Sequence, residues 1–109
     1  MDPDARRRYV CELLRLYVAT PGTTGHVRRA DRDFAGTLFD RGIPLYVVET
    51  AFIVAAARRI RHNAFSTPLP PIRSVHYFSS VIQEVLDRPP GYRDIDELHS
   101  FLGLGRPPL

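Results

Sequence analysis

The chain has 109 residues, 44% of them hydrophobic and 25% charged, and a net charge of +3. That length fits one domain, and the hydrophobic share is too high for a disordered segment. No apolar stretch approaches the roughly 18 residues of a membrane span, and residues 1–6 carry acids and a proline where a secretion signal has an apolar run. The single cysteine, Cys11, cannot form an internal disulfide, so we expect a cytoplasmic protein.

The first two predicted helices are amphipathic. The first covers about residues 3–19, where Asp2 can cap the helix and apolar residues recur at helical spacing. The second covers about residues 31–41 and ends at Gly42, a residue type common just after helix C-termini. The link of residues 42–44 to the next helix is so short that the two helices must form a corner or a hairpin.

The third predicted helix, residues 44–61, forms the centre of the fold. Between Leu45 and Ala57 only Glu49 and Thr50 are strongly polar, and a helix that is apolar nearly all round is buried on most sides. Glu49 must therefore reach an arginine, a backbone donor or the surface, because burying an unpaired carboxylate is costly.

Two shorter helices complete the prediction. A proline-rich loop precedes the fourth helix, residues 71–87, and a capping box of Asp94 and Glu97 opens the fifth, residues 94–102. The sequence thus predicts an all-α fold, a compact bundle of about five helices around the buried helix 44–61. The whole chain, residues 1–109, forms one domain with its core in residues 3–102 and a frayed tail in 103–109.

The sequence shows no pattern for catalysis or for a cofactor. Its four histidines share no metal-ligand spacing, and Cys11 lies in a helix stripe where a lone cysteine is usually a small buried hydrophobic residue. The glycine-containing turn at residues 21–25 lacks the pattern of a phosphate-binding loop. We therefore expect a protein that is not an enzyme and needs no metal or cofactor.

All 15 basic residues are arginines. A GC-rich genome explains this composition, and so does recognition of phosphate by guanidinium groups; the sequence leaves both open. Residues 1–62 carry 11 arginines against 7 acids, whereas residues 63–109 carry 4 against 5. The basic excess therefore lies in the first three predicted helices.

Nine arginines are candidate phosphate contacts. A second candidate site is the start of the predicted fourth helix, where Arg73, Ser74 and either His76 or Tyr77 surround backbone N–H groups that favour an anion. A helix-turn-helix made from helices two and three is disfavoured, because the third helix is too apolar to lie in a DNA groove. The candidate contacts are Arg58, Arg59, Arg61 and Arg73, followed by Arg28 and Arg29 and by Arg6, Arg7 and Arg8.

The order of these features resembles the DnaD-like domain of bacterial primosome and replication-initiation proteins. The matching pieces are Tyr17 with Pro21-Gly22, the stretch from Val48 to Ala55, and Tyr77-Phe78 followed by Val81-Ile82. The tryptophans usual in that family are absent. The resemblance implies DNA binding and contact with replication proteins, without enzymatic turnover.

We therefore expect a non-catalytic nucleic-acid-binding or replication-accessory module that binds DNA. A mobile element is one origin that we expect for such a protein. The alternative is a protein–protein adaptor or a subunit of a larger complex. Such an adaptor would oligomerise through apolar helix faces, for example as a homodimer.

Overall fold

The computed structural model describes residues 3–89 and folds them into four α-helices and one short 3₁₀ turn. In chain order these are α1 (Pro3–Ala19), α2 (Arg29–Asp40), α3 (Leu45–Phe65), the 3₁₀ turn (Val75–Phe78) and α4 (Ser79–Asp87). Residues 3–89 contain an isolated parallel β-bridge, Thr23 to Ile72, but no strand. The all-α prediction is confirmed. The predicted fifth helix, the frayed tail and the C-terminal part of the predicted core lie outside the described residues.

Helices α1 and α2 follow the prediction closely. Helix α1 has the predicted bounds, and α2 begins two residues early at Arg29. Gly42 ends α2 with φ +73°, a backbone angle that side chains disfavour, and its N–H donates to the Phe39 carbonyl at 2.9 Å. The chain then passes through buried Ile43 and turns directly into α3.

Helix α3 is the buried centre of the fold, as predicted, but it is longer. Ten of its 21 residues are buried, nearly all of them before residue 58. It continues to Phe65, one turn past the predicted end, and Phe65 is 86% exposed. The basic cluster at residues 58–61 therefore lies one turn before the end of the helix. None of the helices within residues 3–89 combines the length and hydropathy that a membrane crossing requires.

The fourth helix starts eight residues later than predicted. Residues 71–74 are outside any helix, and prolines at 68, 70 and 71 disfavour helical backbone at residues 67, 69 and 70 just before them. Ile72 pairs instead with the loop after α1: its N–H donates to the Gly22 carbonyl at 2.7 Å, and its carbonyl accepts from the Thr24 N–H at 2.9 Å. The 3₁₀ turn then leads into α4.

The core joins all of these elements. Helix α1 packs on α2 and α3, and α4 packs on the other side of α3. Three aromatic rings meet at the centre, with centroid distances of 6.3 Å for Tyr17–Phe52, 6.2 Å for Tyr17–Phe78 and 4.5 Å for Phe52–Phe78. The buried hydrophobic cluster consists of Leu13, Tyr17, Ala35, Leu38, Ile43, Val47, Val48, Ala51, Phe52, Ala55, Ile72, Val75, Phe78, Ile82 and Val85.

A buried carboxylate connects two loops to this core. Asp31 is only 2% exposed, and each of its oxygens accepts one backbone N–H. Oδ2 accepts from Arg28 at 2.8 Å and thereby closes the first turn of α2, while Oδ1 accepts from Val75 at 2.9 Å and closes the start of the 3₁₀ turn. We call this arrangement the Asp31 junction. It fixes the loop before α2 against the segment after the proline-rich loop.

Replacing Asp31 by Ala should lower the free energy of unfolding by about 2–4 kcal/mol, because a buried N–H of Val75 and a helix-terminal N–H of Arg28 lose their acceptor. Urea denaturation followed by circular dichroism measures the change. The matched control is Asp33→Ala, an exposed position two residues along the same helix, which should alter stability by no more than about 0.5 kcal/mol. Equal losses in both variants would show that the junction is not a main support of the fold.

Candidate nucleic-acid interface

The nine candidate arginines are all exposed except Arg59, but they differ in their contacts with the rest of the chain. Arg6, Arg58 and Arg59 are engaged by other parts of the chain, so their guanidinium groups serve the fold. The remaining candidates are exposed and belong to the N-terminal half of α1, the start of α2, the end of α3 and the loop before the 3₁₀ turn.

Arg6 joins α1 to α2. Its Nε and Nη2 donate to the two carboxylate oxygens of Asp40 at 3.1 and 3.2 Å, and this ion pair raises the pKa of Arg6 and lowers that of Asp40. The guanidinium crosses over Gly36, where a Cβ atom would collide with it. A glycine inside α2 thus lets the arginine reach its partner.

Arg58 joins α3 to α4 in the same way. Its two terminal nitrogens donate to the two carboxylate oxygens of Glu84, with Nη1 to Oε2 at 2.9 Å. These hydrogen bonds hold the pKa of Glu84 below its ordinary value and raise that of Arg58. On α1, Arg15 pairs with Glu12, and the charge of half-buried Glu49 adds a smaller Coulombic contribution to the raised pKa of Arg15. Glu49 forms no ion pair of its own among residues 3–89.

Arg59 is buried, with 7% of its surface exposed. Its Nη2 donates to the Pro70 carbonyl at 2.7 Å, its Nη1 donates to the Tyr77 hydroxyl at 3.3 Å, and the guanidinium carbon lies 5.6 Å from the centre of the Tyr77 ring. These contacts bind the end of the proline-rich loop to α3. Its burial and these two hydrogen bonds argue against the predicted phosphate contact of Arg59.

Arg28, Arg29 and Arg73 lie in the two chain segments that the Asp31 junction joins. The carboxylate bonds the N–H of Arg28 itself and that of Val75, two residues after Arg73. All three arginines are exposed, and none pairs with a carboxylate in residues 3–89. The predicted anion site at the start of the fourth helix is wrong in one respect: Asp31 already accepts the Val75 N–H.

Two exposed aromatic side chains, His76 and Tyr77, follow Val75 in the 3₁₀ turn. Tyr77 is 46% exposed and packs edge-on against Phe78, with ring centroids 5.2 Å apart. His76 is exposed and contacts Phe34 of α2, with ring centroids 5.1 Å apart. We define the loop face as the exposed side chains around the Asp31 junction, namely Arg28, Arg29, Arg73, His76 and Tyr77.

The other exposed candidates lie outside this face. Arg7 lines a groove between α1 and α2 together with Arg32, which sequence reasoning did not select. Arg8 is exposed on α1 and Arg61 on α3. The nine candidates therefore do not gather on one surface.

Three further features were missed or misjudged from the sequence. The sequence predicts Asp31 only as a helix start, because Arg28 and Asp31 do not match the Ser/Thr-x-x-Glu/Gln pattern of a capping box. Cys11 is exposed, so its predicted burial is wrong. The groove beside Cys11 was missed because it depends on how α1 and α2 pack against each other. Within residues 3–89, no three His, Cys, Asp or Glu side chains gather as a set of metal ligands.

The ion pair of Glu84 with Arg58 should make the stability of the fold depend on pH. A carboxylate whose pKa is lower in the folded state stabilises the fold at pH values above its pKa in the unfolded state. This contribution is lost as the pH falls through its pKa in the folded state. The difference in Tm between the native chain and Glu84→Gln should therefore shrink as the pH falls from about 7 to about 3. Arg58→Gln should show the same pH dependence of Tm, and combining it with Glu84→Gln should lower Tm little further. A constant difference across that pH range would contradict the pairing.

Arg59→Lys should lower the free energy of unfolding by about 1–2 kcal/mol, because a lysine cannot hold Pro70 and Tyr77 together with one planar group. Thermal denaturation measures the change, and exposed Arg61→Lys serves as the control. If Arg59→Lys were as stable as the control, the contacts of Arg59 would contribute nothing to the fold.

No family model, curated protein or solved structure matches this chain.

Proposed function

We propose that this domain is a non-catalytic nucleic-acid-binding module that contacts phosphate through the loop face. The observation that carries the proposal is the arrangement of Arg28, Arg29 and Arg73. These three exposed arginines lie in the two chain segments that the Asp31 junction joins, and they have no carboxylate partner in the described part of the chain.

The charge balance of the described residues supports an anionic partner. Residues 3–89 contain 13 arginines and 8 acids, a net charge of +5. Asp31 is buried and bonded to backbone, while Asp40, Glu12 and Glu84 are each paired with an arginine. Few carboxylates remain to offset the guanidinium groups at the surface.

The chemistry of the loop face also suits a nucleic acid. Guanidinium forks bind phosphate oxygens through two donors, and a neighbouring ring offers a surface on which a base can stack. Arg73 supplies a fork and half-exposed Tyr77 supplies the ring. Because α3 is buried and cannot enter a groove, the contacts would come from loops and helix starts.

The resemblance to DnaD-like domains points to the same class of partner. It suggests a replication-accessory role, in which the domain binds DNA and is encoded on a chromosome or a mobile element. The proposal of nucleic-acid binding rests on the loop face and does not require a role in replication.

Arg28→Gln combined with Arg73→Gln should weaken binding to a fluorescent DNA oligonucleotide and lower the salt slope of log K by about 2, since each arginine–phosphate contact releases counterions. Fluorescence anisotropy at several salt concentrations, with single-stranded and duplex DNA, measures both quantities. Neither side chain has an ion pair in the described part of the structure, so the fold should be unaffected.

Arg41→Gln is the matched control. It removes one exposed arginine just past the far end of α2, about 20 Å from Arg28 along the helix axis. It should leave most of the affinity intact. The proposal fails if the native chain does not bind DNA at low salt, or if Arg41→Gln weakens binding as much as the loop-face variant.

A further inference from the structure

A surface groove of about 950 Å³ runs between α1 and α2 on the described domain. Its floor is apolar and includes Val10, Leu14 and Val18 of α1 and Val27 of the loop before α2. Val10, Leu14 and Val27 pack against the edge of the core, whereas the α1 residues Leu13 and Tyr17 are fully buried in it. Val10, Leu14 and Val27 are only half-buried, and Val18 is 44% exposed. Helix α1 therefore carries a second apolar stripe that faces the groove.

The rim of the groove is positively charged. Four arginines line it, and Asp33 is the one acid in its lining within residues 3–89. Arg6 and Arg15 are offset by Asp40 and Glu12. Arg7 and Arg32 form no ion pair in the described residues. The groove thus offers an occupant an apolar floor and two cations without carboxylate partners.

These features favour a protein segment over a nucleic acid. No aromatic ring is among the described residues that line the groove, so bases on its floor would meet aliphatic side chains and lack the aromatic stacking that favours single strands. The lining extends along α1 from Pro3 to Val18, about 22 Å at the rise of a helix. That length accommodates about four turns of a second helix.

We propose that this groove binds an acidic amphipathic helix of a partner protein. Apolar side chains of the partner, spaced three and four residues apart, would cover the floor, as in other helix-in-groove complexes. Its carboxylates would face Arg7 and Arg32. This binding site is separate from the loop face and does not depend on the proposed nucleic-acid function.

The test uses the full chain and a designed helical peptide of about 16 residues, with leucines on one face and glutamates beside them. Its binding is measured by fluorescence anisotropy. A second readout is the rate at which a thiol reagent modifies Cys11, the chain's one cysteine, which is exposed and lines the groove. The peptide should bind and slow this modification. A peptide with lysines in place of the glutamates should do neither.

Arg7→Glu combined with Arg32→Glu should weaken peptide binding by roughly tenfold and leave Tm unchanged. Arg41→Glu combined with Arg61→Glu makes the same change of charge away from the groove and should weaken binding far less. Val18→Asn, at a half-exposed floor position, should also weaken it. Arg28→Gln with Arg73→Gln should leave peptide binding intact, which separates this site from the loop face.

Four outcomes would overturn the proposal. The first is no peptide binding by the native chain, and the second is equal binding of the lysine peptide. The third is protection of Cys11 by an oligonucleotide instead of the peptide. The fourth is that the groove is occupied by this protein itself, either by a second copy or by the chain's own acidic stretch. A dimer in light scattering that Arg7→Glu with Arg32→Glu dissociates would identify a second copy. Faster Cys11 modification after charge reversal at Asp94, Asp96 and Glu97 would identify the chain's own acidic stretch.

Discussion

The two hydrogen bonds accepted by the buried Asp31 carboxylate decide how the loops of this fold are arranged. One bond starts α2 and the other starts the 3₁₀ turn that carries Val75 and Phe78 into the core. Beside it, Ile72 pairs with Gly22 and Thr24, and Arg59 holds the Pro70 carbonyl. The orientation of the exposed loop-face side chains follows from these internal contacts.

Arginine has two different roles in this molecule, and only the tertiary structure separates them. Arg6 and Arg58 pair with carboxylates that lie 34 and 26 residues away in the chain. Arg59 satisfies a loop carbonyl. Neighbouring arginines such as Arg7 and Arg61 are exposed and have no such partners among residues 3–89. Identical side chains one or two positions apart thus either cross-link helices or remain at the surface.

Helix periodicity was sufficient to predict α1, α2 and the buried α3, because the repeat of apolar residues directly reflects which side of a helix is buried. The end of α3 and the start of α4 were wrong, since backbone pairing of Ile72 with a distant loop competes with helix formation there. The site was predicted only in part. Arg28, Arg29 and Arg73 are exposed as expected, whereas the partners of Arg6, Arg58 and Arg59, the role of Asp31 and the exposure of Cys11 depend on contacts between distant segments.

The turn around the end of α3 has a practical consequence. The Asn63 side chain accepts the Leu69 N–H at 3.0 Å, and Arg59 holds Pro70, so the chain is attached to α3 on both sides of residues 64–68. Those five residues are all exposed. A protease cut within them would leave both fragments joined by the shared core, and the same stretch would accept an inserted affinity tag. The polypeptide could therefore be opened in this exposed stretch without separating its two halves.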